Sequence, residues 1–122
     1  MTHDRHDEVV RRFAAACRRR DGRALAALLG TDAVATCDGG GLVPGPEKPV
    51  RGAEEVARLV LATLGGRADT ELAVESVNGR SGLAVRRFSR AVAVVGVETA
   101  GGEITALWIV LNPAKLGGWH RR

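Results

Sequence analysis

The 122-residue chain has no long apolar stretch, only two cysteines, two tryptophans, two phenylalanines and no tyrosine. No apolar run approaches the roughly 20 residues that cross a bilayer, and the polar start lacks the apolar stretch of a signal peptide. A chain of this length forms one domain with a core of its own. We therefore expect a single domain over residues 1–122 that is cytoplasmic and contacts no membrane.

The two cysteines and the basic charge exclude further classes of function. Cys17 and Cys37 lack the close cysteine or histidine spacing that zinc needs, so we predict reduced thiols, no metal and no other cofactor. The net charge is +4, and the positive residues are mostly arginine. Because acidic residues are scattered among the basic ones and aromatic residues for base stacking are scarce, we do not expect a nucleic-acid partner.

Periodicity predicts an α+β chain with three N-terminal helices followed mainly by strands. Apolar residues at intervals of three and four indicate helices, and alternating apolar residues between glycine-rich turns indicate strands. The order is helix 7–20, a short helix ending at Gly30, strand 34–38, loop 39–49, a helix from Gly52 to Gly65–Gly66, and strands 70–77, 82–88, 91–99 and 103–111. Asn78-Gly79 marks a hairpin turn. The residues before the first helix, His6 among them, are predicted to be disordered.

The last strands are apolar on both alternating faces. In strand 103–111, Trp108 and Val110 alternate with Leu107 and Ile109. An antiparallel sheet covered by helices on one side normally shows polar residues on the other. We therefore expect a second copy of the chain to cover the free face, giving a homodimer through the sheet. The alternative cover, the C-terminal tail after residue 116, is short and polar.

Four short motifs carry a resemblance to a known family. Element order resembles the nuclear-transport-factor-2-like superfamily, which includes SnoaL-type polyketide cyclases, ketosteroid isomerases and limonene epoxide hydrolases. More specifically, the motifs resemble the SnoaL-like domain that ends some extracytoplasmic-function sigma factors. They are Cys37-Asp38-Gly39-Gly40-Gly41, Pro49-Val50-Arg51-Gly52, Val77-Asn78-Gly79 and Asn112-Pro113-Ala114-Lys115-Leu116. The resemblance implies a cone-shaped fold, three helices packed on a curved, mainly antiparallel sheet around a small-molecule cavity.

The resemblance also implies candidate site residues. Asp38, at the end of the first strand, is similar in place to the aspartate that moves the substrate proton in ketosteroid isomerases. At an apolar cavity wall, desolvation would raise the pKa of its carboxyl toward neutrality. The alternative is a turn aspartate that accepts hydrogen bonds from the backbone of Gly39 and Gly40. The predicted substrate-binding residues are Thr36, Trp108, Arg86 and Asn112, although Asn112 fits a structural clamp equally well.

Two functions follow. The first is a cofactor-independent cyclase, isomerase or hydrolase that acts by acid–base catalysis on a small hydrophobic, polyketide-like metabolite. The second is a non-catalytic ligand-binding or regulatory domain related to the sigma-factor domain. The absence of tyrosine removes the usual phenolic donor of the isomerases, which weakens the enzymatic analogy. Turnover that depends on Asp38 distinguishes the two.

Overall fold

The computed structural model describes residues 2–41, 45–64 and 69–120. The elements are α1 (Thr2–Arg19), α2 (Gly22–Leu28), β1 (Leu29–Asp38), β2 (Val50–Arg51), α3 (Ala53–Leu64), β3 (Thr70–Val77), β4 (Arg80–Arg87), β5 (Arg90–Ala100) and β6 (Glu103–Val110), followed by short 3₁₀ turns over Pro113–Lys115 and Gly117–Trp119. Within these ranges no helix is long and apolar enough to cross a membrane.

Two features around β1 differ from the predicted ones because long-range contacts override local pattern. β1 begins at Leu29, where a helix was expected, since Leu29 pairs with Ile104 of β6 and is buried. The two-residue strand β2 was missed, and it pairs with Val34 and Ala35. The end predicted for the third helix at Gly65–Gly66 lies outside the described residues.

The N-terminal helix begins well before the predicted start because His6 anchors it. The His6 ring is buried, with Nδ1 2.8 Å from Thr99 Oγ1 and Nε2 2.9 Å from the Ser81 carbonyl oxygen. Arg80 Nη2 also lies 3.1 Å from Nδ1. Nε2 therefore donates to the carbonyl while Nδ1 accepts. The prediction that His6 is disordered was wrong, since a polar residue outside the apolar stripe gave no sign of these partners.

The strands form one open, mixed sheet in the order β2-β1-β6-β5-β4-β3. β1 and β6 are parallel, and the other pairs are antiparallel. The helices cover one face, the inner face, with a continuous core that includes Phe13, Leu25, Val60, Leu83, Val95 and Leu107. Residues that alternate with the core positions point to the opposite, outer face. Three N-terminal helices against a mainly antiparallel sheet are as predicted.

The outer face is partly covered by the C-terminal segment, residues 112–120. Its Leu116 is buried against Val77, Ala91 and Val94, and Trp119 packs beside them. The tail judged too short and polar therefore does cover one part of this face. Trp108, farther along the face, remains 46% exposed.

Candidate functional site

Asp38 ends β1 on the outer face and is held by three neighbours. Its position follows from the register, because Asp38 pairs with Val110, which packs in the outer-face cluster. Lys115 Nζ donates to Asp38 Oδ2 at 2.5 Å, and the Gly40 amide donates to Oδ1 at 3.0 Å. The backbone of Asp38 is also fixed, because its main-chain carbonyl oxygen accepts a hydrogen bond from the Leu111 amide at 2.7 Å. The carboxylate thus ties the first strand to the C-terminal segment.

These contacts shift the pKa of the Asp38 carboxyl in the direction opposite to the predicted one. The hydrogen bond from Lys115 lowers the pKa of Asp38, and the Gly40 amide, the Lys115 charge and the Asn112 side chain lower it further, against a smaller opposing effect of desolvation. The expected rise toward neutrality was wrong because the side chain is about a third exposed and paired with a cation. The turn geometry considered as the alternative, with Asp38 accepting from Gly40, is present.

Asn112 is the first residue of the C-terminal segment, and its side chain lies beside the Asp38 carboxylate. Its Oδ1 accepts from Ala114 N at 3.1 Å, which caps the first 3₁₀ turn. A β-carbon at Gly40, where φ is +62°, would overlap the Asn112 carboxamide. Glycine is therefore required at position 40 for two reasons, its left-handed backbone and the close approach of Asn112. This arrangement matches the structural clamp considered for Asn112.

Thr36 and Trp108 lie side by side on the outer face. They are register partners of the parallel β1–β6 pair, and Thr36 is half-buried. The Trp108 ring lies over Gly96, where a β-carbon would be 3.8 Å from the side chain. Both residues share a face with Asp38, turned away from the three helices. The structure thus brings together three of the predicted residues outside the helix–sheet core.

Arg86 lies on the same face but far from Asp38. β4 is three strand positions from β1, which separates them by about 14 Å across the sheet alone. The buried guanidinium binds both carboxylate oxygens of Glu75, with Nη2 2.9 Å from Oε1, and Nε donates to the Trp119 carbonyl at 2.8 Å. Glu75 raises the pKa of Arg86 further. With Nε, Nη1 and Nη2 each bonded inside the protein, Arg86 holds the end of the C-terminal segment.

Sequence reasoning missed the partners that fix this segment. Lys115 was part of a quoted motif, yet its ion pair with Asp38 spans 77 positions of sequence. His120 Nδ1 accepts from the Ala91 amide at 2.8 Å, although a tail histidine is usually exposed. The segment is thus fixed at both ends. Across the part of the chain that the structure describes, no group of histidine, cysteine, aspartate or glutamate residues could hold a metal ion.

Comparison with known proteins gives one relative of clear sequence similarity. No family model matches the chain. The ECF RNA polymerase sigma factor SigJ of Mycobacterium tuberculosis is 31% identical over 125 residues, covering 93% of this chain and 39% of that protein. The crystal structure of SigJ superposes with a TM-score of 0.70 at 30% identity, covering 93% of this chain and 44% of that one. The chain therefore spans less than half the length of SigJ.

Enzymes of lower identity share the fold. A steroid delta-isomerase from Pseudomonas aeruginosa matches with a TM-score of 0.64 at 20% identity, over 92% of this chain and 82% of that one. An LEH-like epoxide hydrolase of M. tuberculosis matches with a TM-score of 0.59 at 18% identity, over 98% and 92%. At these identities the likeness establishes a common arrangement of helices and sheet, and nothing about chemistry.

Proposed function

Because the chain is a homologue of SigJ over 93% of its length and shares the fold of nuclear-transport-factor-2-like proteins, we propose that it is a non-catalytic domain that binds a small organic molecule and regulates a transcription protein. The fold and the family resemblance predicted from the sequence are confirmed. The regulatory role rests on the similarity to a sigma factor that extends over nearly the whole chain.

One observation carries the choice against catalysis, namely the environment of Asp38. A general base works best when its pKa lies near the operating pH and its oxygens are free to take a proton. In this chain Lys115 occupies one carboxylate oxygen, Gly40 occupies the other, and both lower the pKa of the carboxyl. These contacts support a role for Asp38 in fixing the C-terminal segment.

The test compares Asp38→Asn with the wild-type chain in turnover assays. The substrates are a Δ5-3-ketosteroid and a small epoxide, taken from the chemistry of the steroid isomerase and the epoxide hydrolase. We expect no turnover above the buffer rate for either protein. Asp32→Asn serves as the matched control, because Asp32 is an exposed carboxylate of the same strand. Turnover by wild type and Asp32→Asn that Asp38→Asn abolishes would establish the enzyme and refute the regulatory proposal.

The uncovered part of the outer face supports a homodimer as part of the same proposal. Trp108 is 46% exposed, and its neighbours Val34, Thr36 and Ala106 are half-buried around it. An exposed indole beside small apolar residues is typical of an interface core. We expect light scattering with size-exclusion chromatography to give the mass of a dimer, and Trp108→Arg to give a monomer.

The control for the dimer is Val74→Arg, which adds the same charge at a partly exposed valine on β3. That variant should remain dimeric, because residue 74 alternates onto the inner-face side of the sheet. A wild-type chain that stays monomeric at high micromolar concentration would contradict the dimer. It would leave the ligand-binding and regulatory parts of the proposal to their own tests.

A further inference from the structure

A cleft of about 440 Å³ opens at the end of the sheet where β4 turns into β5 and the C-terminal segment crosses. This volume lies within the range of about 300–1,000 Å³ in which small-molecule sites occur. Most of its surface is apolar and comes from Phe88, Ala91, Val92, Leu111, Pro113 and Leu116. The wall that Pro113 and Leu116 form belongs to the segment fixed by Asp38 and Arg86.

The remaining residues that line the cleft are basic. They are Arg87, Arg90 and His120, and none of the described residues lining the cleft is acidic. Arg90 is exposed, and its side chain makes no hydrogen bond or ion pair with the described part of the chain. Arg87 forms an ion pair with Asp69 through an Nη2–Oδ2 hydrogen bond of 3.3 Å, and its side chain is 34% exposed.

His120, the third basic residue of the cleft, also presents an N–H donor. The Nδ1 atom of His120 accepts from the Ala91 amide, so the proton of a neutral ring is on Nε2. The cleft therefore combines an apolar floor with N–H donors that suit a negatively charged oxygen.

The position of Phe88 indicates that the cleft has a use beyond folding. Phe88 and Ser89 are the central residues of a two-residue hairpin, with φ of +51° and +69°. Asn-Gly is the favoured pair for such a turn, and a bulky residue with positive φ is strained. The phenylalanine side chain is nevertheless 82% exposed at the cleft. A strained turn that exposes an aromatic ring beside an apolar pocket is typical of a binding site.

We propose that this cleft binds a small amphipathic carboxylate, with the carboxylate at the guanidinium groups of Arg90 and Arg87 and the apolar body against Val92 and Leu116. The proposal deepens the ligand-binding part of the proposed function and rests on it. It places the ligand on the C-terminal segment and not in the helix–sheet core. Binding would then act directly on the segment that Asp38 holds to the sheet.

The test is a titration of the full chain with sodium octanoate, followed by amide NMR shifts and by calorimetry. We expect saturable binding that shifts the amides of Ala91, Val92 and Leu116. Octanol, which lacks the charge, and acetate, which lacks the apolar body, should each bind more weakly. Because the proposed contacts are partly exposed, Arg90→Gln should weaken octanoate binding about fivefold.

Matched variants separate the cleft from general charge effects. Arg23→Gln removes the same charge from exposed α2 and should leave octanoate affinity unchanged. Val92→Glu should weaken binding at least tenfold more than Val92→Gln, because it places a carboxylate beside the ligand's own. Both variants at position 92 should fold, since Val92 is 37% exposed.

Three outcomes overturn the proposal: no saturable binding of octanoate, shifts confined to residues away from the cleft, or equal losses for Arg90→Gln and Arg23→Gln. Octanoate binding at another place would refute the cleft as the binding site but would not refute the ligand-binding function. Turnover that depends on Asp38 would refute the non-catalytic function without changing the octanoate result. Failure of the cleft proposal and failure of the proposed function can therefore be distinguished.

Discussion

Glu75→Gln tests whether the buried arginine really fixes the C-terminal segment. Arg86 is 5% exposed, and the Glu75 carboxylate accepts two hydrogen bonds from its guanidinium. Removing one partner of a buried ion pair costs about 3–5 kcal/mol. Glutamine keeps one acceptor and Glu75 is 27% exposed, so we expect the free energy of unfolding to fall by about 2–3 kcal/mol.

Urea denaturation measures the change, and Glu71→Gln is the control. Glu71 pairs in register with Arg86 and faces the same side, but it is exposed, so its loss should cost less than about 0.5 kcal/mol. A double-mutant cycle with Arg86→Met should give a coupling energy near the Glu75→Gln value. Equal stabilities of the Glu75 and Glu71 variants would refute the reasoning, because the pair would then be a surface contact.

Three further predictions concern single positions. Burial raises the pKa of the Cys17 thiol from its ordinary value of 9.0 to about 12. The stability that the neutral thiol contributes is therefore complete below pH 9 and is lost as the pH rises toward 12. Cys17→Ala should flatten that decline, and native Cys17 should resist alkylation at pH 8. Gly82→Ala should lower the free energy of unfolding in urea by about 2–3 kcal/mol, because its methyl group would overlap the Val95 carbonyl oxygen. Gly96→Ala, whose nearest neighbour would be 3.8 Å away, should cost under about 1 kcal/mol. Similar losses for the two variants would contradict this packing. Phe88→Asn should raise the melting temperature by relieving about 1 kcal/mol of strain and weaken octanoate binding, and a destabilised variant would contradict the strained turn.

Local signals predicted most of the helices and strands, whereas strand β2 and the start of β1 depend on non-local contacts. Asn78-Gly79 correctly marked the β3–β4 hairpin, because both residues adopt the positive φ that this turn requires. No such signal marked the turn at Phe88–Ser89. The predicted strand 82–88 included Phe88, whereas β4 ends at Arg87. Turn chemistry is readable in a sequence only where the residues suit the turn.

The sequence predicted the strand and face of some candidate residues, but it did not predict their contacts. Alternation correctly places Thr36 and Asp38 on one face of β1, and the β1–β6 register adds Trp108. Pattern alone could not say which face the helices cover, and it could not pair Asp38 with Lys115 across the chain. The pKa of Asp38 depends on that pairing, so the expected direction was wrong. The catalytic role of Asp38 itself stays a prediction that the turnover assay decides.

The pKa of Asp38, measured from its carboxyl carbon resonance during an acid titration, tests the central claim most directly. A clamp held by Lys115 predicts a pKa below the ordinary aspartate value of about 3.9, and a rise toward that value in Lys115→Met. Because the folded-state pKa is lowered, the stability from this contact is present above the ordinary range and lost as the pH falls through the lowered value. A wild-type pKa near neutrality, unchanged in Lys115→Met, would contradict the clamp and support a proton-transfer base.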